Sequence, residues 1–213
     1  MKLLEIKPSI NRFNNFQDFA EFFNAGKGDL ILTNEFMYDS FMKELNLNAD
    51  FIFQEKYGIG EPSDVMIDSI LNEMAGKDYK RIIAVGGGTV IDIAKLLVIK
   101  DAHNALDLFE KKIPLIKGRE LIIVPTTCGT GSEVTNISIA EIKSRHTKMG
   151  LAIDELYADN AVLIPELVKG LPYKFFITSS IDALIHAVES YVSPKSNIYT
   201  ELFSVKAINL ILK

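Results

Sequence analysis

The chain has 213 residues, of which 48% are hydrophobic and 24% are charged, a balance typical of a globular protein with a buried core. This composition excludes a disordered tail, a collagen-like fibre and a coiled coil. The net charge of -5 argues against a nucleic-acid partner, because DNA- and RNA-binding proteins usually carry a basic surplus. One cysteine, Cys128, cannot form an internal disulfide, and no stretch approaches the roughly 18 apolar residues of a membrane helix. We therefore expect a cytoplasmic protein with no membrane partner.

Short apolar runs alternate with helical patterns through the first part of the chain. The apolar runs predict strands at residues 29–34, 51–53, 81–85 and 121–124, and the helical spacing predicts helices at residues 35–45, 64–74 and 89–100. Apolar strands that alternate with amphipathic helices are typical of a parallel sheet covered on both faces. We therefore predict a doubly wound α/β domain that binds its ligands beyond the carboxyl ends of the strands.

The pattern changes after the fourth predicted strand. Residues 136–153 favour a β-hairpin over the mouth of the sheet, and beyond residue 172 the chain is helical only, at residues 180–191 and 199–212. We place a domain boundary where Gly and Pro punctuate this change, giving an α/β domain over 1–171 and the start of an all-helical domain over 172–213. The last helix has an apolar face with nothing left in the chain to pack on, so we expect this second domain to be unfinished and prone to self-association.

A glycine triplet marks the first candidate site. Gly86, Gly87 and Gly88, followed by Thr89, lie between a predicted strand and a predicted helix. Glycines let the backbone approach a phosphate closely, and the start of a helix favours an anion. A tight strand-to-helix turn explains the same residues equally well. Asp92, one turn into the helix, either faces a ligand or favours the positive end of the helix.

A loop rich in hydroxyls and glycines forms the second candidate site. Residues 125–133 (PTTCGTGSE) follow a predicted strand and could hydrogen-bond a ribose, a phosphate or a carboxamide. An ordinary loop, with Ser132 capping the next helix, is the alternative. We do not expect Cys128 to be a nucleophile, because no His or Lys is assigned near it to lower the pKa of its thiol.

Asp182 and His186 form the third candidate site. They stand four residues apart on one predicted helix and thus on nearly the same face, a spacing that can place a carboxylate and an imidazole on a single divalent cation. A capping box formed by Ser179 and Asp182 is the structural alternative. We expect His103 and His146, which lie in polar surroundings, to be surface residues.

Three segments together resemble signatures of the iron-containing (group III) alcohol dehydrogenase family. They are residues 86–95 (GGGTVIDIAK), 125–135 (PTTCGTGSEVT) and 180–193 (SIDALIHAVESYVS), in this order. Two further stretches, residues 53–58 and 170–176, are similar to the branch of the family that acts on 4-hydroxybutyrate. The resemblance covers essentially the whole chain but corresponds to the N-terminal part of the family's sequence.

The resemblance implies an NAD(P)-dependent oxidoreductase that transfers a hydride between the cofactor and a small alcohol or aldehyde, here 4-hydroxybutyrate and succinate semialdehyde. It implies that Asp182 and His186 are the first two ligands of Fe²⁺, or of Zn²⁺ as in some relatives. We also expect a homo-oligomer. No other catalytic residue is assigned. The residues that it places along the cofactor are Asn34, Gly86, Gly87, Gly88, Thr89, Val90, Asp92, Thr126, Thr127, Thr130 and Lys148.

Two departures from the family pattern leave alternatives open. NAD-preferring relatives often carry Asp where this chain has Asn34, so NADP remains an alternative to NAD. The family also takes two further His ligands from its helical domain, and none in this sequence matches them, so we expect impaired metal binding. A non-catalytic dinucleotide-binding module and a polyol enzyme similar to glycerol dehydrogenase are the competing hypotheses.

Overall fold

The computed structural model describes residues 3–213. Its centre is a six-stranded, fully parallel sheet, and a separate two-stranded antiparallel hairpin lies beside it. The strands are β1 (Ser9–Arg12), β2 (Asp29–Thr33), β3 (Asp50–Phe53), β4 (Arg81–Gly86), β5 (Glu120–Pro125), β6 (Ile137–Ile142), β7 (Thr147–Ala152) and β8 (Asn160–Leu163). The order across the large sheet is β1-β8-β5-β4-β2-β3, and β6 pairs with β7.

Helices cover both faces of the sheet, as the sequence predicts for a doubly wound fold. They are α1 (Phe16–Phe22), α2 (Glu35–Phe41), α3 (Asp64–Met74), α4 (Gly88–Leu97), α5 (Ala105–Phe109), α6 (Pro165–Val168), α7 (Tyr173–Val192) and α8 (Ile198–Ile211). Alternate residues of each central strand face opposite layers. Ile82 and Ala84 of β4 pack with α3, α4 and α5, whereas Ile83 and Val85 pack with α1, α2 and α6. In the part of the chain that the structure describes, no helix is both long and apolar enough to cross a membrane.

The predicted central elements are confirmed, with differences at their ends. Helix α3 has the predicted bounds, and the Ser63 side chain accepts the backbone N–H of Met66 at its start. The helix predicted over residues 35–45 ends at Phe41, and its last part is a 3-10 turn over Lys43–Leu45. The helix predicted over residues 89–100 begins at Gly88 and ends at Leu97.

Sequence patterns missed β1 and β8, which extend the sheet beyond β5. Both strands have four residues, and β1 is largely exposed because it lies at the edge of the sheet. A short strand without a continuous apolar run carries no periodic signal that separates it from a loop. Strand β8 pairs in parallel with both β1 and β5, and these partners provide the backbone hydrogen bonds that hold it in the sheet.

The predicted hairpin is confirmed and packs against α4. Ser138 of β6 is buried, and its hydroxyl donates to the carbonyl of Asp92 at 2.8 Å. The backbone N–H of Ile139 donates to the Asp92 carboxylate at 3.2 Å. The hairpin is therefore attached to the first turns of α4, over the carboxyl edge of the sheet.

Beyond the sheet the chain is helical, as predicted, but α7 is longer than expected. It begins at Tyr173, directly after Pro172, so Ser179 and Asp182 lie inside the helix and the capping-box interpretation is wrong. Helix α8 does begin with a capping box, in which the Asn197 side chain accepts backbone N–H groups and the Thr200 side chain accepts the N–H of Asn197.

Candidate functional site

The glycine turn presents free backbone N–H groups at the start of α4. Gly87 is the residue before the helix, and the first intrahelical bond runs from Ile91 N to the Gly87 carbonyl at 3.1 Å. The N–H groups of Gly88, Thr89 and Val90 consequently have no acceptor within the helix. A side chain at position 88 would meet no atom within 4 Å, so this position is open. Such a helix start suits a phosphate.

Gly86 and Val90 have structural rather than exposed positions in this turn. A Cβ atom added to Gly86 would lie 2.6 Å from Cβ of Val90, so no other residue fits at position 86 without displacing the helix. The Val90 side chain is buried in the core, which leaves its backbone N–H for a ligand. The predicted cofactor role of Val90 therefore concerns its main chain.

The Thr126 loop lies beside the glycine turn, as the sequence predicts. Gly86 and Pro125 are paired in the sheet, and the N–H of Thr126 donates to the Gly86 carbonyl at 3.0 Å. A Cβ atom on Gly87 would lie 3.5 Å from the Thr127 Cγ2 atom. The first two candidate segments thus form one continuous edge.

The same loop contacts α7. Gly129 has a φ of +91°, and a Cβ atom at this position would lie 2.7 Å from Cβ of Ala183. One residue earlier, Cys128 Sγ lies 3.3 Å from Ser179 Oγ, either atom being able to donate. Because Asp182 directly precedes Ala183 in sequence, the third candidate segment meets the other two at this contact.

Asp182 and His186 face each other on successive turns of α7. Asp182 Oδ2 lies 3.9 Å from His186 Nδ1, and both side chains are about half exposed. A carboxylate oxygen and an imidazole nitrogen are donors that Fe²⁺ and Zn²⁺ accept, so the pair fits two positions of a coordination shell. Over residues 3–213, no group of three or more His, Cys, Asp or Glu side chains is arranged to hold a metal. His103 and His146 are exposed, as expected.

Two cavities flank the cradle formed by the glycine turn and the Thr126 loop. The larger, of about 780 Å³, lies between the loop, β8, α6 and α7, and the smaller, of about 380 Å³, lies between α4 and the hairpin. The residues of the larger cavity include Pro125, Thr127, Cys128, Gly129, Leu163, Val168 and Phe176. Those of the smaller include Gly88, Thr89, Asp92, Glu141 and Lys148. Both cavities have mainly apolar surface, but the smaller one is also lined by the charged side chains of Asp92, Glu141 and Lys148.

Contacts already engage some of the predicted cofactor side chains. The Thr89 hydroxyl donates to the Gly60 carbonyl at 2.8 Å, and Lys148 Nζ lies 2.5 Å from a carboxylate oxygen of Glu61. Both contacts connect the smaller cavity to the loop that precedes α3. Thr130 Oγ1 lies 3.4 Å from Ser132 Oγ, within its own loop, and Thr126 is buried.

Lys95 is a buried residue of α4 that connects this helix to the start of the hairpin, and sequence analysis assigned it no role. Its fully buried Nζ donates to Thr135 Oγ1 at 3.0 Å and to the Ile137 carbonyl at 2.7 Å, and it lies 3.9 Å from the Asp92 carboxylate. Burial lowers the pKa of Lys95 to about 8 and raises the pKa of Asp92. The sequence did contain a signal for this contact: Lys95 follows Asp92 by three residues within an otherwise apolar segment of the helix.

Glu55 is a second residue that sequence analysis missed. Asn34 precedes α2 but does not cap it with its own side chain. Its Nδ2 atom instead donates to Glu55 Oε2 at 2.9 Å, while the N–H of Glu35 donates to Glu55 Oε1 at 2.6 Å. A carboxylate therefore stands beside Asn34, although it comes from the turn after β3.

Comparison with known proteins places the chain in a family. The model of iron-containing alcohol dehydrogenases matches residues 10–165, and the model of the C-terminal region of Fe-containing alcohol dehydrogenases matches residues 176–213. The chain belongs to the iron-containing alcohol dehydrogenase family. It is 63% identical over 212 residues to the 4-hydroxybutyrate dehydrogenase of Clostridium kluyveri, covering 100% of this chain and 57% of that protein.

A second curated protein is similar in sequence, and a solved structure is similar in fold. Long-chain-alcohol dehydrogenase 1 of Geobacillus thermodenitrificans is 40% identical over 138 residues, which are 62% of this chain and 34% of that protein. The crystal structure of sulfoacetaldehyde reductase from Bifidobacterium kashiwanohense in complex with NAD⁺ superposes with a TM-score of 0.85 at 21% identity, over 98% of this chain and 58% of that one. The chain thus spans little more than half the length of the Clostridium kluyveri protein and of the sulfoacetaldehyde reductase, and the match to the Geobacillus protein covers about a third of that protein.

Proposed function

We propose that the chain is part of a metal-dependent alcohol dehydrogenase, in which it binds a nicotinamide dinucleotide and supplies two ligands of the catalytic metal. One observation carries the proposal: three segments far apart in sequence meet at one edge of the sheet. The first two lie side by side, since a Cβ atom added to Gly87 would lie 3.5 Å from Thr127 Cγ2, and the close approach of Gly129 to Ala183 joins the third. Ligands of doubly wound sheets bind at this edge.

The cradle and its two cavities suit the parts of a dinucleotide. The N–H groups of Gly88, Thr89 and Val90 would hold the pyrophosphate, with Gly86 and Gly87 shaping the turn. Thr126, Thr127 and Thr130 would lie along the cofactor, and Lys148 would approach a ribose from the hairpin. Asp92 lines the smaller cavity and holds the hairpin in place. NAD is the proposed cofactor, with NADP as the alternative.

Asp182 and His186 would hold the metal, Fe²⁺ or in its place Zn²⁺. When bound, such a cation acts as a Lewis acid that polarises the substrate oxygen. Two ligands bind a metal weakly, so we expect these 213 residues by themselves to bind iron weakly. Tight, stoichiometric iron in this chain would contradict that expectation.

We further propose 4-hydroxybutyrate and succinate semialdehyde as the substrate pair of the whole enzyme, supported by the 63% identity to the Clostridium kluyveri protein. The proposed division into a cofactor domain (1–171) and a helical metal-binding segment (172–213) is supported by Pro172 at the start of α7. A cytoplasmic location and a homo-oligomeric state complete the proposal.

Binding of NADH to this chain, followed by nicotinamide fluorescence, tests the cradle. Gly88→Asp would place a carboxylate where the phosphates bind, and we expect at least a tenfold loss of affinity, roughly what one like-charge contact costs in partly solvated surroundings. Gly88→Ala is the matched control: it adds a methyl group in open space without charge, and should cost much less. Equal effects of the two variants, or no NADH binding by the wild type, would contradict the proposal.

Turnover separates the competing functions. The absorbance of NADH is followed with NAD⁺, Fe²⁺ and either 4-hydroxybutyrate or glycerol. Reduction of NAD⁺ by 4-hydroxybutyrate would exclude a non-catalytic module, and faster reduction by glycerol would favour the polyol enzyme. NADH binding without any turnover would favour the non-catalytic module for this chain.

A further inference from the structure

The Glu55 carboxylate lies at the carboxyl end of β2, the strand next to β4, although Glu55 itself follows β3. In the register of the sheet, Leu32 of β2 pairs with Ala84 of β4, and the Thr33 hydroxyl donates to the Val85 carbonyl at 2.8 Å. Asn34, the residue that follows β2, therefore comes level with Gly86 of β4, and neighbouring strands are about 4.8 Å apart. Glu55 contacts Asn34 directly. A carboxylate is thus fixed at the end of the strand that neighbours the proposed phosphate cradle.

Local structure holds Glu55 in this position. A 3-10 turn over Gln54–Tyr57 folds the chain back directly after β3, and Gln54 is buried with its Nε2 atom donating to the Gly58 carbonyl at 3.0 Å. The two oxygens of Glu55 each accept one hydrogen bond, one from Asn34 Nδ2 and one from the N–H of Glu35. Glu55 thereby occupies the start of α2, where an anion would otherwise be stabilised.

We propose that Glu55 is a specificity-determining residue, which makes the site select NAD over NADP by its carboxylate beside Asn34. This inference rests on the proposed dinucleotide function. A carboxylate has about four acceptor positions, and two of them remain for the hydroxyls of a ribose. A 2′-phosphate carries negative charge and offers acceptors where Glu55 requires donors. In doubly wound folds an acidic residue near the end of the second strand discriminates in this way. Here the residue that follows β2 is Asn34, which has a neutral amide side chain, and the negative charge comes from Glu55 in the turn after β3.

Affinities of the chain for NADH and NADPH test the proposal. Glu55→Gln removes the charge while keeping the shape and an acceptor for Asn34 or Glu35. We expect it to strengthen NADPH binding about tenfold relative to NADH binding, because a like-charge repulsion is lost. Glu44→Gln is the matched control: it removes the same charge from an exposed position in the turn after α2, and the ratio should stay at the wild-type value.

Salt dependence gives a readout that a purely structural role would not affect. The preference of the wild type for NADH should decrease between about 0.05 M and about 0.5 M salt, whereas the ratio in Glu55→Gln should change little. Equal weakening of both ligands in Glu55→Gln, or an unchanged ratio, would overturn the specificity role and leave the proposed function standing. A wild type that binds neither ligand would overturn both. Circular dichroism confirms that the variants are folded, and Glu55→Lys, with a larger expected shift toward NADPH, provides a second test.

Discussion

The sheet and the two C-terminal helices use hydrophobic residues in opposite ways. In β2, β4 and β5 nearly every residue is buried between two layers of helices. In α7, by contrast, the buried residues are Ala183 and Ala187, and large side chains are exposed along both α7 and α8. The exposed set includes Phe175, Phe176, Ile181, Ile185, Val188, Leu202, Phe203, Val205 and Leu210.

Because of this difference, the two halves of the proposed site rest on regions that are packed to different extents. The proposed phosphate cradle is built on the sheet and on α4, whose positions are fixed by dense packing. The proposed metal ligands are on α7, which contacts the Thr126 loop through two small residues, Gly129 and Ala183. We therefore expect the cofactor half of the site to be preorganised by the fold, and the metal half to depend on whatever covers α7.

Truncating one isoleucine in each region tests the contrast most strongly. Ile83 is 0% exposed and Ile185 is 51% exposed. Ile83→Ala should lower the free energy of unfolding by about 2–5 kcal/mol, because it removes buried methyl groups and leaves a cavity. Ile185→Ala should change it by less than about 0.5 kcal/mol. Urea unfolding measures both values, and comparable losses would show that α7 is packed as tightly as the sheet.

Replacing the buried lysine should have an intermediate effect. Lys95→Met removes the ammonium from the Ile137 carbonyl and from the Asp92 carboxylate, which keeps only the N–H of Ile139, and we expect a loss of about 1–3 kcal/mol in the free energy of unfolding at neutral pH. Lys206→Met in α8 is the control, because it removes an exposed lysine and should have little effect.

The pH dependence of the same pair has a defined sign. The pKa of Lys95 is lowered to about 8 in the folded protein from 10.5, so between these pH values the unfolded chain binds more protons. The free energy of unfolding should therefore rise with pH in this window for the wild type relative to Lys95→Met, by at most about 1.4 kcal/mol per pH unit. Parallel curves for the two proteins would show that the Lys95 ammonium is not destabilised by its burial.

The smallest effect on stability is expected for the exposed apolar surface. Leu202→Lys combined with Val205→Lys should change the free energy of unfolding by less than about 0.5 kcal/mol but reduce self-association. Sedimentation velocity over a range of concentrations measures the association. Ile116→Lys, at an exposed position outside α7 and α8, should leave it unchanged. A wild-type mass that is independent of concentration and equal to one chain would contradict the expectation.

The central strands could be predicted because burial on both faces leaves a continuous apolar run. The proximity of the glycine turn to the Thr126 loop followed from one topological rule, since the carboxyl ends of parallel strands share an edge. The Ser63 cap could be predicted as well, because a helix cap depends on residues that are close in sequence. These features are encoded locally or by the order of the elements.

Features that depend on long-range pairing could not be predicted in this way. Strand β8 exists because it lies between β1 and β5, and nothing in its four residues indicates either partner. Glu55 reaches Asn34 across 21 positions of sequence, and Lys95 reaches Ile137 across 42. The start of α7 was misplaced because Ser179 and Asp182 imitate a cap that the helix, already formed from Tyr173, does not use.

The contact between Gly129 and Ala183 sets the distance between the Thr126 loop and α7, two parts of the proposed site. A Cβ atom at position 129 would lie 2.7 Å from Cβ of Ala183, so only glycine lets the loop backbone come this close to α7. If position 129 carried a methyl group, α7 would have to shift outward and carry Asp182 with it. In the proposed enzyme, the distance between the nicotinamide and a substrate oxygen held at Asp182 and His186 would therefore depend on glycine at position 129.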